Sequence, residues 1–129
     1  MKISKLILIC SLISLTNAAF ANPILISCSF DSGKVTYRPK VEFDDQNPRT
    51  ISVDGKPIYY NSDTKIGDHK AKLLDFNSST IAWCTSWAGK SFCYDINRKT
   101  GMINYNYQSD SYQSTDRGSC TKIRESSGF

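Results

Sequence analysis

The sequence predicts an all-β domain: a small antiparallel meander, sandwich or barrel stapled by two disulfides. Three observations lead there. Apolar residues alternate at period two in one segment after another, and no stretch longer than about ten residues carries a helical stripe. Four cysteines remain once an N-terminal leader is set aside.

Residues 1 to 21 read as a secretory leader. Lys2 and Lys5 supply the positive region, Leu6 to Leu15 the apolar stretch, and Ala19-Phe20-Ala21 the small-x-small cleavage site. Cleavage is expected between Ala21 and Asn22, leaving residues 22 to 129 as a single β-rich domain with no membrane anchor. The apolar stretch is about half of the roughly 20 residues a spanning helix needs. Cys10 lies inside it behind Ile9, where lipid attachment requires a small residue, so lipidation is rejected. The protein is expected to be periplasmic or secreted, and bacterial from its short leader with an Ala-x-Ala ending.

The first strand is Ile24 to Phe30, where Ile24, Ile26, Cys28 and Phe30 alternate with Leu25, Ser27 and Ser29. Asp31-Ser32-Gly33 turns the chain into a second strand carrying Val35, Tyr37, Val41 and Phe43, with Pro39 marking an edge or a bulge. After the polar loop Asp44 to Pro48, Ile51-Ser52-Val53 and Ile58-Tyr59-Tyr60 flank Asp54-Gly55, a strong hairpin signal, with Pro57 expected to fray the second arm. Asn61 to Lys70 is polar and aperiodic and reads as a loop with at most one helical turn. Ala71 to Phe76 is a strand by context.

Ile81 to Trp87, Ala88-Gly89 and Lys90 to Ile96 form a hairpin with a two-residue loop. Asn97 to Gly101 then turns into Met102 to Tyr107. Gln108 to Gly118, apolar only at Tyr112, is expected to be a mobile loop before a closing strand from Cys120 to Ile123.

The hairpin register selects the disulfides. With Trp87 opposite Lys90, Cys84 falls opposite Cys93 on a non-hydrogen-bonded pair, where Cα atoms approach to roughly 4.5 Å. Cys28 is left for Cys120. On the same hairpin Ile81, Trp83, Thr85 and Trp87 share a face with Phe92, Tyr94 and Ile96, and this aromatic face is expected to be core.

The C-terminal third carries Thr80-Ile81-Ala82-Trp83, Tyr94-Asp95-Ile96-Asn97-Arg98-Lys99-Thr100-Gly101 and Gly118-Ser119-Cys120-Thr121-Lys122. It resembles small, largely uncharacterised exported bacterial proteins with an Ile-Asn/Asp-Arg-x-Thr-Gly turn and a late Gly-x-Cys. The resemblance implies an exported β-domain and no activity. Asn97, Thr100 and Gly101 are the residue types a turn uses, so the motif reads first as structural, with presentation of Arg98 to an acidic partner as the second use.

Chemistry is narrowed by what the chain contains. The mature part holds 14 basic and 12 acidic residues, too even a balance for a dedicated nucleic-acid binder, and fourteen aromatic residues, enough for a core. The single histidine, His69, stands between Asp68 and Lys70 in a polar stretch and reads as solvated rather than catalytic. Asp44-Asp45 reads as a turn rather than an acid/base pair. Asp44, Asp45 and Asn47 lack the alternating oxygen series and closing glutamate of a calcium loop. One histidine and no Cys-x-x-Cys argue against zinc, and there is no phosphate-cradling glycine loop, so neither metal nor cofactor is expected.

The function expected is therefore a non-catalytic binding protein of the envelope, inhibitor- or immunity-like, with one protein partner. The alternative is a small secreted hydrolase acting on cell-wall sugar or nucleic acid. Ser32-Gly33-Lys34-Val35-Thr36-Tyr37 resembles the Ser-Gly-x-x-Tyr loop of periplasmic lysozyme inhibitors, but it has one more residue before Tyr37 and lies nearer the start of the mature chain. The binding residues expected are Ser32, Lys34, Arg98, Tyr112 and Arg117, on polar loops rather than on the aromatic hairpin face.

Overall fold

The computed structural model describes residues 20 to 125; the leader, apart from Phe20 and Ala21, lies outside the described residues. Ten strands follow one another: β1 Ile24–Phe30, β2 Lys40–Phe43, β3 Thr50–Val53, β4 Lys56–Tyr59, β5 Thr64–Ile66, β6 His69–Phe76, β7 Thr80–Trp87, β8 Lys90–Asn97, β9 Met102–Gln108 and β10 Gln113–Glu125. All neighbours are antiparallel in a single sheet ordered β4-β3-β2-β1-β10-β9-β8-β7-β6-β5, so every pairing but one joins strands consecutive in sequence and the exception joins β1 to β10. The sheet curls into a nearly closed barrel. Tyr60, just past β4, bridges Leu73 of β6, and the Asn61 N–H donates to the Leu73 carbonyl at 2.9 Å. No helix among the described residues is long and apolar enough to cross a membrane.

Period-two alternation selects the inner face of each strand. Ile26 and Cys28, Val41 and Phe43, Ile51 and Val53, Ala71 and Leu73, Ile81 and Trp83, and Tyr94 and Ile96 are buried, and Ile58 and Ile103 complete the core. Asp54 and Gly55 both take positive φ, 52° and 83°, which is the two-residue turn that matches the twist of the arms. Pro57 does not fray its arm. It sits opposite Ser52, one step beyond the pair flanking the turn, where its missing N–H faces away from β3.

Both disulfides join the expected cysteines. Cys84–Cys93 spans the β7–β8 hairpin with Cα atoms 4.1 Å apart, and Cys28–Cys120 joins β1 to β10 at 3.9 Å. Two disulfides suggest an oxidising extracellular or periplasmic environment.

Three expectations are corrected. The second strand begins only at Lys40; Val35 to Pro39 runs outside the ladder, and the Pro39 carbonyl accepts from Cys28 N–H at 3.0 Å. Asn61 to Lys70 is not all loop, because Gly67-Asp68 closes a hairpin pairing Ile66 with His69, Gly67 taking φ 61°. Gln108 to Gly118 is not a mobile loop. Gln113 to Gly118 pairs residue by residue with β9, and Ser109 to Tyr112 is a tight turn. That half of β10 is polar because it runs toward an open barrel end, where a ladder needs no apolar alternation.

Candidate binding site at the barrel mouth

Antiparallel registers put the Asp54-Gly55, Gly67-Asp68, Ala88-Gly89 and Ser109–Tyr112 turns, with the Asp31–Pro39 link, at one end of the barrel. This end opens as a mouth. It holds a cavity of about 460 Å³ floored by Ile58, Trp83 and Tyr94 and rimmed by Tyr37, Asp54, Lys56 and His69. The volume is that of a site for one small molecule or one projecting side chain.

The rings of the mouth are ordered by strand position. Trp83 is 1% exposed and stacks on Tyr94 with centroids 5.0 Å apart and planes 18° from parallel. Further up, Trp87, His69, Phe92, Tyr107 and Tyr112 form a continuous arc with successive centroids 5.6, 6.3, 5.1 and 6.0 Å apart. Lys90 lies over the Trp87 ring at 5.0 Å. The hairpin's aromatic face is therefore core only in its lower part. Above Trp83 the inner face meets the mouth, and Trp87 is exposed.

Tyr37 and Asp54 at the mouth engage one another. The Tyr37 hydroxyl donates to Asp54 Oδ2 at 2.5 Å while Asp54 Oδ1 accepts from Lys40 N–H at 3.1 Å, so the Val35–Tyr37 link is latched across the opening. Burial, with the Asp54 carboxylate beside it, raises the Tyr37 phenol above its ordinary range, and burial does the same for Tyr94 and Tyr105. Tyr37 thus remains a neutral donor at physiological pH. His69, half-buried, stacks on Trp87 and tilts against Phe92 rather than standing free in solvent.

The residues singled out from the sequence separate into two groups. Ser32 donates to Asp116 at 2.5 Å and accepts from Lys34 N–H at 3.1 Å, and Asp31 N–H donates to the Arg117 carbonyl at 2.8 Å, so Ser32, Lys34 and Arg117 share one polar surface beside the mouth. The Ser32 hydroxyl holds the Asp116 carboxyl below its usual range. Tyr112, 63% exposed, ends the aromatic arc. Arg98 is at the opposite end. Its Nη2 contacts Asp45 at 2.7 and 3.0 Å, Nη1 donates to the Asn77 carbonyl at 2.7 Å, and its guanidinium lies over Phe43 and Phe76. Beside it Asn97 Oδ1 accepts from Lys99 and Thr100 N–H, and Gly101 takes φ 77°, so the Asn-Arg-x-Thr-Gly motif shapes a turn.

Sequence reasoning assigned Trp87 and Phe92 to the core and passed over Tyr37 and Tyr107 as mouth residues. For Trp87, Phe92 and Tyr107 the available signal was their position at the turn-proximal ends of strands, where an inner-facing ring lies beyond the core. No group of three or more metal-ligating side chains occurs among the described residues. Compared with protein-family models, curated proteins and solved structures, the chain has no match.

Proposed function

We propose that the protein is an exported, non-catalytic binding protein, inhibitor- or immunity-like, that takes an apolar or aromatic side chain of one envelope protein into its mouth. The observation that carries this reading is the arc of rings from Trp87 to Tyr112, exposed at its two ends and half-buried between them, above an apolar cavity. Such rings offer contact area at little cost in side-chain entropy. Two of the titratable groups there are committed to structure: Asp54 to Tyr37 and Lys40, His69 to its ring neighbours. The polar surface of Ser32, Lys34 and Arg117 supplies the rim of the interface. Loss of the leader after Ala21 delivers residues 22 to 129 to the periplasm or the medium.

The test is capture of a partner from periplasmic extract by the mature protein, followed by size exclusion. One stoichiometric protein is expected. Trp87→Ala and Tyr107→Ala should release it tenfold or more faster while the melting temperature stays within a few degrees. Turnover of cell-wall sugar or nucleic acid with no stoichiometric partner overturns the proposal in favour of a small hydrolase.

A further inference from the structure

Among the described residues Asp44 is the one buried charged side chain, 2% exposed, at the barrel end opposite the mouth. Its two oxygens have separate tasks. Oδ1 accepts from Gln46 N–H at 2.9 Å, and the Asp44 carbonyl accepts from Asn47 N–H at 2.9 Å, which together make the turn after β2. Oδ2 takes no part in that turn. It accepts instead from the backbone N–H groups of Ala21 and Asn22, both at 3.0 Å, across more than twenty residues of sequence. The Asn22 hydrogen bond, with those from Gln46 and Ala21, holds the Asp44 carboxyl below its usual range, so it is a carboxylate at neutral pH.

Asn22 is the residue on which leader cleavage would place the new chain terminus. Hydrolysis of the Ala21–Asn22 bond consumes one water, leaves a carboxylate on Ala21 and an amine on Asn22, and that amine takes up a proton at neutral pH. The Ala21 donor departs with the leader, and the neutral Asn22 amide becomes an ammonium with three donors and a full charge. We infer that Asp44 is a built receiving site for the α-ammonium of processed Asn22, so that processing exchanges two amide hydrogen bonds for a buried ion pair that locks the first strand to the turn after β2. This inference rests on the processing reading above.

The neighbouring carboxylate, Asp45, is paired with Arg98, and β10 places Arg124 and Glu125 opposite Leu25 and Ile24 in register. Asp44 is already desolvated, with Oδ2 facing the Asn22 nitrogen at 3.0 Å, so that part of the cost of a buried ion pair is met by the fold and charge assistance strengthens the bond.

All ten strands of the described residues lie after Asn22, so the processed chain carries the whole barrel sheet. The test begins with the full precursor exported from a bacterial host, and the product mass is read first. The processed protein is then compared with a chain extended by Gly-Ser before Asn22 and with an Nα-acetylated one, each also as Asp44→Asn. The α-amine of the Asn22 chain should titrate about one unit or more above the ordinary range of roughly 7.7 to 8.0. In Asp44→Asn it should return to that range. Extension or acetylation should lower the melting temperature by several degrees with Asp44 present and hardly at all without it. If Asp44→Asn does not fold, the extended and acetylated chains with Asp44 intact still decide. An α-amine in the ordinary range, or an extension without effect on the Asp44 protein, overturns the inference. A product mass that places the terminus elsewhere overturns the processing reading, whatever the amine does.

Discussion

Arg98 closes the lower end of the barrel on Asp45: Nη2 lies 2.7 Å from Oδ1 and 3.0 Å from Oδ2, with the guanidinium 5.0 Å from the centre of the Phe43 ring and 5.6 Å from that of Phe76. Its side chain is only 17% exposed. A partly buried guanidinium that also bonds the Asn77 carbonyl does work a lysine cannot, since an ammonium lacks the planar face that stacks on both rings. Arg98→Ala is therefore expected to destabilise by about 1–3 kcal/mol, with Arg98→Lys recovering less than half, and to leave partner capture at the mouth unchanged. Urea denaturation with the capture assay checks both halves.

Gly118 is required by a close approach rather than by a turn. A Cβ built there would stand 1.8 Å from the Ser29 carbonyl oxygen and 2.8 Å from the Phe30 Cα, both backbone atoms that cannot rotate away. Gly118→Ala should cost about 3 kcal/mol or more, because relief means parting β1 from β10 where they pair. Calorimetry should show a fall of at least about 12 °C. A loss under 3 °C would mean that the two strands separate there without cost.

The disulfides should differ in weight. Cys28–Cys120 closes 92 residues of sequence separation and Cys84–Cys93 only 9. Chain entropy alone assigns about 4.6 kcal/mol to the first and about 2.6 kcal/mol to the second. The double variant Cys28→Ala with Cys120→Ala should melt well below Cys84→Ala with Cys93→Ala. Equal melting temperatures would show that local strain or residual structure outweighs loop length.

Alkaline stability should follow the buried phenols. Burial raises Tyr94 and Tyr37 above the ordinary tyrosine value of about 10, so their neutral forms favour the fold. The sign is that of a raised group: the contribution is complete below about pH 10 and is lost as pH climbs from there through the folded-state value. Tyr94→Phe cannot ionise and should move the alkaline unfolding midpoint upward. Absorbance at the phenolate band against circular dichroism checks this, since these phenols should ionise together with unfolding.

What was legible in the sequence was local. A two-residue loop sets the register of its own hairpin, so Cys84 opposite Cys93 could be counted out from Ala88-Gly89, and Cys28–Cys120 followed as the remaining pair. Period-two alternation likewise selected the buried face of Ile24 to Phe30 and of Ile81 to Ile96, because a side chain's face depends only on its parity along a strand.

Closure was decided by tertiary structure. Neither Tyr60 nor Leu73 carries a local mark of their bridge, and only the curl of the whole sheet brings β4 to β6 and makes a barrel rather than a sandwich. The same closure decides where the candidate site lies. It turns the upper half of β10 into a polar strand, sends Arg98 to the end away from Ser32 and Tyr112, and leaves Trp87, Phe92 and Tyr107 at an opening. Parity along a strand states which way a ring points, but whether it meets core or mouth depends on its height in a barrel built from pairings distant in sequence.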